Sequence, residues 1–176
     1  MGQTQVWQEC DGLSTDDDAG DGAAYRRSMP RVLRTTLDAG IFHVTSRGVN
    51  RTDIYLDVED RRTFVALFAA AVRKYGWDMH TVCLMTNHYH LVLETAVEPM
   101  SRGMQWLNGA YGQLFNKRWA RTGHLFGERF YSKPVQDDEQ LVETCRYVIW
   151  NPVRAGLCER PDEWPWSASR YGLSGL

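Results

Sequence analysis

The 176-residue chain is poor in the features that mark most specialised protein classes. Its four cysteines, Cys10, Cys83, Cys145 and Cys158, form no Cys-x-x-Cys pair and follow no regular spacing. That argues against a disulfide framework or a structural zinc finger. No apolar run approaches the roughly 20 residues needed to span a bilayer. The first thirty residues lack the basic-then-apolar order of a secretory signal. A cytoplasmic protein with no membrane partner is the expectation. No internal repeat is visible. Lysine and arginine are missing from residues 1–25, which hold six acids: Glu9, Asp11, Asp16, Asp17, Asp18 and Asp21.

What is present is a globular mixture, 43% hydrophobic and 24% charged, long enough to bury one core. Residues 1–30 read as a flexible acidic arm, and residues 31–176 as a single domain. The net charge of −2 conceals an uneven distribution. Without the acidic arm, residues 26–176 hold 16 acids against 20 bases. A basic body permits a polyanionic partner.

Patterning predicts the elements. Ile41 to Ser46 is β-branched and aromatic and reads as a strand, with Ile54-Tyr55-Leu56 a second short extended piece. Asp57 is a candidate N-cap for a helix carrying Phe64, Leu67, Phe68, Ala71 and Val72 at helical spacing and ending at Gly76. Trp77–Met85 and His88–Thr95 read as a hairpin turning at Thr86-Asn87. A second helix runs from about Pro99 to Ala120 with Met104, Leu107, Tyr111, Leu114 and Phe115 as its apolar stripe. Its glycines at 103, 109 and 112 suggest close packing or a kink. Residues 122–135 are irregular or a short hairpin. Asp137 and Gln140 resemble a capping box opening a third helix, which Pro152 should stop near Trp150. The order predicts an α+β fold, an antiparallel sheet with helices packed on it.

Three patterns could carry chemistry. His88 and His90 alternate with Tyr89 on a strand, so the two imidazoles share a face about 6–7 Å apart. They could grip one divalent ion or sit as polar residues on a solvated face; spacing leaves both open. Tyr147 and Asn151 lie four residues apart and share a helix face if the last turn holds. Leu141, Cys145, Val148 and Ile149 form the opposite, buried side, which places Tyr147 with Gln140 and Glu143 on the polar side. A tyrosine there is a surface residue or a nucleophile for phosphoryl transfer. Residues 102–133 carry Arg102, Lys117, Arg118, Arg121, Arg129 and Lys133 against one acid, Glu128, with seven interleaved aromatic residues. Bases for phosphates and rings for stacking make a single-strand nucleic-acid groove, or else an ordinary helix with a solvated basic face.

Taken together the landmarks resemble the REP-associated tyrosine transposases, a branch of the single-tyrosine HUH transposases related to insertion sequence 200. The landmarks are Ser46-Arg47-Gly48-Val49-Asn50-Arg51, then Cys83-Leu84-Met85-Thr86-Asn87-His88-Tyr89-His90, then Gly123-His124-Leu125-Phe126 with Arg129. Arg146 through Gly156 and Trp164-Pro165-Trp166-Ser167 complete them, so the resemblance spans about Ile41 to Ser167. It implies an HUH endonuclease, ferredoxin-like fold. It implies His88 and His90 as metal ligands, Tyr147 as the nucleophile and Asn151 as a third ligand. Arg47 and Arg51 join the six bases of residues 102–133 as DNA-binding candidates. The implied substrate is single-stranded DNA with a hairpin, the implied intermediate a 5′-phosphotyrosine, and the implied ion Mg²⁺ or Mn²⁺, in a monomer or homodimer. Glu128 departs from the pattern, because relatives more often carry Gln-x-Arg-Tyr there. Two other readings remain: a hairpin-binding protein of the same fold that no longer moves DNA, and a zinc hydrolase using His88, His90 and Glu94.

Overall fold

A computed structural model describes residues 39–173. The acidic arm at 1–30 and the expected start of the fold near Arg31 lie outside these residues. The elements are β1 (Ala39–Arg47), α1 (Val58–Tyr75), β2 (Asp78–Leu84), β3 (His88–Ala96), α2 (Val97–Arg118), β4 (Tyr131–Val135), α3 (Asp138–Arg154) and β5 (Ser167–Ser169). One antiparallel sheet runs in the order β4-β1-β3-β2-β5. The first six elements, β-α-β-β-α-β with β1 and β3 central, are the ferredoxin-like arrangement. The fold is α+β, with α3 and the short edge strand β5 added to that frame.

Alternation along the strands separates two faces. Phe42 and Val44 of β1 and Tyr89, Leu91 and Leu93 of β3 are buried on one of them. They join Phe64 and Ala71 of α1 and Met100, Met104, Leu107, Tyr111 and Phe115 of α2 in the main core. The other face is more polar. Its rows follow from the register: Arg47 beside His88; Tyr131, Thr45, His90 and Cys83; then Lys133, His43, Val92 and Thr81. Helix α3 covers this face with Cys145, Tyr147, Val148 and Ile149, all buried.

The helix ends obey local rules. The Asp57 carboxylate accepts from the Asp60 N–H at 3.0 Å, and Gly76 closes α1 in the left-handed region at φ 63°. The Asp137 carboxylate accepts from the Gln140 N–H at 2.8 Å to open α3. Gly103 is required by packing, since a Cβ there would lie 2.2 Å from the Trp77 ring.

Four expectations need correction. Ile54 and Tyr55 form no strand; they are buried loop residues under α2, where the Ile54 carbonyl accepts from the Tyr111 hydroxyl. The residues before α3 form no hairpin of their own: Tyr131–Val135 pairs with β1. Leu114 is 46% exposed, and Met100 and Gly103 take its place on the buried stripe. Helix α3 passes through Pro152 to Arg154. The missing N–H at Pro152 deprives the Val148 carbonyl of its helical donor, while the Tyr147 carbonyl accepts from the Asn151 side-chain amide at 3.1 Å and the Arg154 guanidinium at 3.2 Å.

Candidate active site

The site lies under α3, at the end of the sheet where β1 finishes and β3 begins. The hairpin turn fixes His88. The Asn87 amide nitrogen donates to the Arg51 carbonyl at 2.9 Å, which turns its oxygen toward His88 to accept from Nδ1 at 2.7 Å. With the proton on Nδ1, the Nε2 lone pair of His88 is bare. His90 lies two residues on, on the same face, with its ring centroid 4.9 Å from that of His88. Its Nδ1 shares a hydrogen bond of 2.9 Å with Nε2 of His43, and its Nε2 is buried without a hydrogen-bond partner.

All three imidazoles are held neutral. Burial pushes His43 and His88 down to about 4, helped by Lys133 beside the first and Arg47 beside the second. Burial, then His43, His88 and Arg47, drive His90 well below its ordinary value. Neutral imidazole is the metal-binding form. The donor set therefore fits a divalent ion at His88 and His90, whose Nδ1 atoms are committed and whose Nε2 atoms are not. Among the described residues no group of three His, Cys, Asp or Glu side chains could hold an ion.

Tyr147 is not on a solvated polar face. It is 8% exposed, edge-on to His90 at 5.9 Å and to His43 at 6.1 Å between ring centroids, with the Arg154 guanidinium 4.9 Å from its ring centre. The reason is that α3 packs on a sheet face that is itself polar. The buried sector of the helix is therefore wider than its apolar stripe. Asn151 lies one turn on, its amide nitrogen on the Tyr147 carbonyl.

The structure divides the basic candidates. Arg47 and Lys133 lie on the site face. Arg47 is half-buried, its Nε has no hydrogen-bond partner, and its charge acts on His88, His90 and the Tyr147 hydroxyl. Arg102, Lys117 and Arg118 ride on α2, across the sheet from α3. Arg118 is tied to Asp57 and Asp60, both at 2.6 Å, and Arg102 pairs with Glu98 at 3.1 Å. Arg121 lies over Phe115. Arg129 lines a groove between α2 and the following loop with Gln105, Asn108, His124, Phe126 and Glu128. Arg51 closes the turn after β1 in a left-handed conformation, φ 58°.

Glu94 does share the histidines' side of β3, but it is four residues from His90, about 13 Å along a strand. Its carboxylate lies 4.0 Å from His80 instead. Sequence patterning did not single out His43 or Asn87, because both act through contacts that only the register and the turn create.

Residues 37–150 match the family model for IS200-like transposases. A Haemophilus influenzae protein named as a REP-associated tyrosine transposase is 20% identical over 151 residues, covering 80% of this chain and 85% of that one. The solved structure of a REP-associated tyrosine transposase bound to a REP hairpin superposes with a TM-score of 0.63 at 16% identity, covering 83% of this chain and 82% of that one. With the family model spanning well over half of its length, the chain belongs to the IS200-like transposase family.

Proposed function

We propose that this protein cuts and rejoins single-stranded DNA beside a short hairpin, with Tyr147 as the nucleophile. The observation that carries the reading is the burial of the Tyr147 ring against His90 in a member of this family. The solved relative is bound to a REP hairpin, and a hairpin with flanking single strand is the substrate proposed here.

The chain's own groups have distinct tasks. Arg47 grips a non-bridging oxygen of the scissile phosphate and favours the ionised form of Tyr147, whose phenol would otherwise hold its proton up to a pH of about 10. The Tyr147 oxygen attacks phosphorus in line. The P–O3′ bond breaks, the new P–O bond makes a 5′-phosphotyrosine, and the 3′-oxygen leaves as a hydroxyl after taking up a proton. Attack by another 3′-hydroxyl reverses the step and joins strands, so no nucleotide cofactor is consumed. An Mg²⁺ or Mn²⁺ ion held by Nε2 of His88 and of His90 and by the Asn151 amide oxygen would draw charge from the phosphate. Arg129 and the rings of its groove hold flanking nucleotides by phosphate contact and stacking. Tyr147 packs edge-on against His90 within the same chain, and we propose that a single copy holds a full set.

Incubating the protein with single-stranded hairpins from the DNA flanking its own gene, plus Mg²⁺, tests this. A covalent protein–DNA adduct is the expected result. Tight hairpin binding with no adduct would favour the binding-only reading.

A further inference from the structure

We infer that His43, which lies outside the His-x-His motif, is the positioning residue that sets His90 for metal binding. This rests on the proposed role of His90 as a ligand. His43 Nε2 and His90 Nδ1 are 2.9 Å apart, so one of them carries the shared proton. If His43 donates, the proton of neutral His90 sits on Nε2, and that nitrogen has no lone pair for an ion. If His90 donates from Nδ1, its Nε2 is bare, and Nε2 is the atom left buried without a partner. Metal binding therefore demands the second arrangement, with His43 as acceptor and its own proton on Nδ1.

The placement serves this purpose. His43 is 7% exposed, on the central strand next to β3, one row along from His90. The two rings are nearly parallel at 19° with centroids 5.2 Å apart. The second wall of its pocket is Tyr147, edge-on at 6.1 Å. His43 thus fixes the ring plane of His90 as well as its proton, and packs against the nucleophile. Its Nε2 is committed to His90, so that atom does not itself reach the ion. Asn87 does the same for His88 through its amide oxygen. Each histidine of the motif then has one dedicated acceptor behind it, the arrangement by which outer partners orient ligating imidazoles.

Two measurements on the full-length protein test the assignment. In the metal-free wild type, two-bond proton–nitrogen NMR of the imidazoles should show His90 protonated at Nδ1; a proton on Nε2 would overturn the inference. Mn²⁺ titration followed by paramagnetic resonance gives the second reading. His43→Gln keeps an acceptor for the His90 proton and should hold Mn²⁺ affinity within about threefold of wild type. His43→Phe keeps ring volume but no acceptor, and should weaken it roughly 10- to 100-fold. Equal affinity in His43→Phe, equal loss in both variants, or no Mn²⁺ binding by the wild type each count against it. If His43→Phe does not fold, the wild-type spectrum still decides. Failure to form a DNA adduct would sink the proposed activity without touching either measurement.

Discussion

Tyr147 meets His90 edge-on, the two rings at 88° with centroids 5.9 Å apart. One side chain comes from the final long helix and the other from a central strand, so their meeting depends on α3 crossing the polar face of the sheet. That contact places a phenol next to two neutral imidazoles, under the Arg154 guanidinium and within the field of Arg47.

The Arg47 guanidinium stands beside His88 in the β1–β3 ladder with an unpartnered Nε. Arg47→Gln should slow cleavage by about 10- to 100-fold, the worth of one hydrogen bond to a charged group. Hairpin affinity should fall much less, because other phosphate contacts remain. Arg47→Lys should recover only part of the rate, since an ammonium lacks the two-pronged geometry. Single-turnover cleavage beside equilibrium binding separates the two effects.

The proposed metal dependence can be tested in two ways. Chelation should stop cleavage, and Mn²⁺ or Mg²⁺ should restore it. The double variant His88→Ala, His90→Ala should lose cleavage but keep most hairpin affinity, because lysine and arginine contacts to phosphate do most of the holding. Unchanged cleavage by this variant in the presence of chelator would refute metal dependence.

Arg118 has a structural duty. Its guanidinium bridges Asp57, the N-cap of α1, and the buried Asp60, and the pair holds the Asp57 carboxyl below its ordinary value of 3.8. A carboxyl lowered in the folded state adds stability above its unfolded pKa and loses it as pH falls through the folded one. Arg118→Ala should therefore melt earlier than wild type at pH 7, and the gap should narrow below pH 3.8. Thermal melts at several pH values check this.

Two glycines of α2 should respond oppositely to alanine. At Gly103 the new methyl strikes the Trp77 ring at 2.2 Å, and overpacking of this kind costs about 1–3 kcal/mol. At Gly109 a Cβ meets nothing within 4 Å, so Gly109→Ala should stabilise by up to about 1 kcal/mol through helix propensity. Denaturant unfolding of the two variants gives the sign directly.

Much of this was legible in the residue pattern, and the exceptions share one cause. The hairpin at Thr86-Asn87, the caps at Asp57, Gly76 and Asp137, and the shared face of His88 and His90 all rest on contacts within a few residues. Local chemistry is enough to read them. His43 was hidden because its partner is 47 residues away and the contact exists only once β1 and β3 are in register. Helical periodicity puts Tyr147 on the polar side because it sees the helix and not the sheet beneath it. Arg118 looked like a phosphate ligand because its acidic partners lie 58 and 61 residues upstream, on another helix. The interleaved bases of residues 102–133 looked like one groove, yet β4 carries Lys133 to the face opposite α2.

The central claim is that Tyr147 forms the covalent link to DNA. Tyr131 lies on the same sheet face, in one row with Thr45 and His90, and is the natural competitor. The decisive measurement is peptide mapping by mass spectrometry of the adduct formed with a single-stranded hairpin and Mg²⁺, run beside Tyr147→Phe. DNA on the peptide containing Tyr147, with no adduct from the folded and hairpin-binding Tyr147→Phe protein, is the result expected. DNA attached to Tyr131 or any other tyrosine, or an adduct that survives in Tyr147→Phe, would contradict the account.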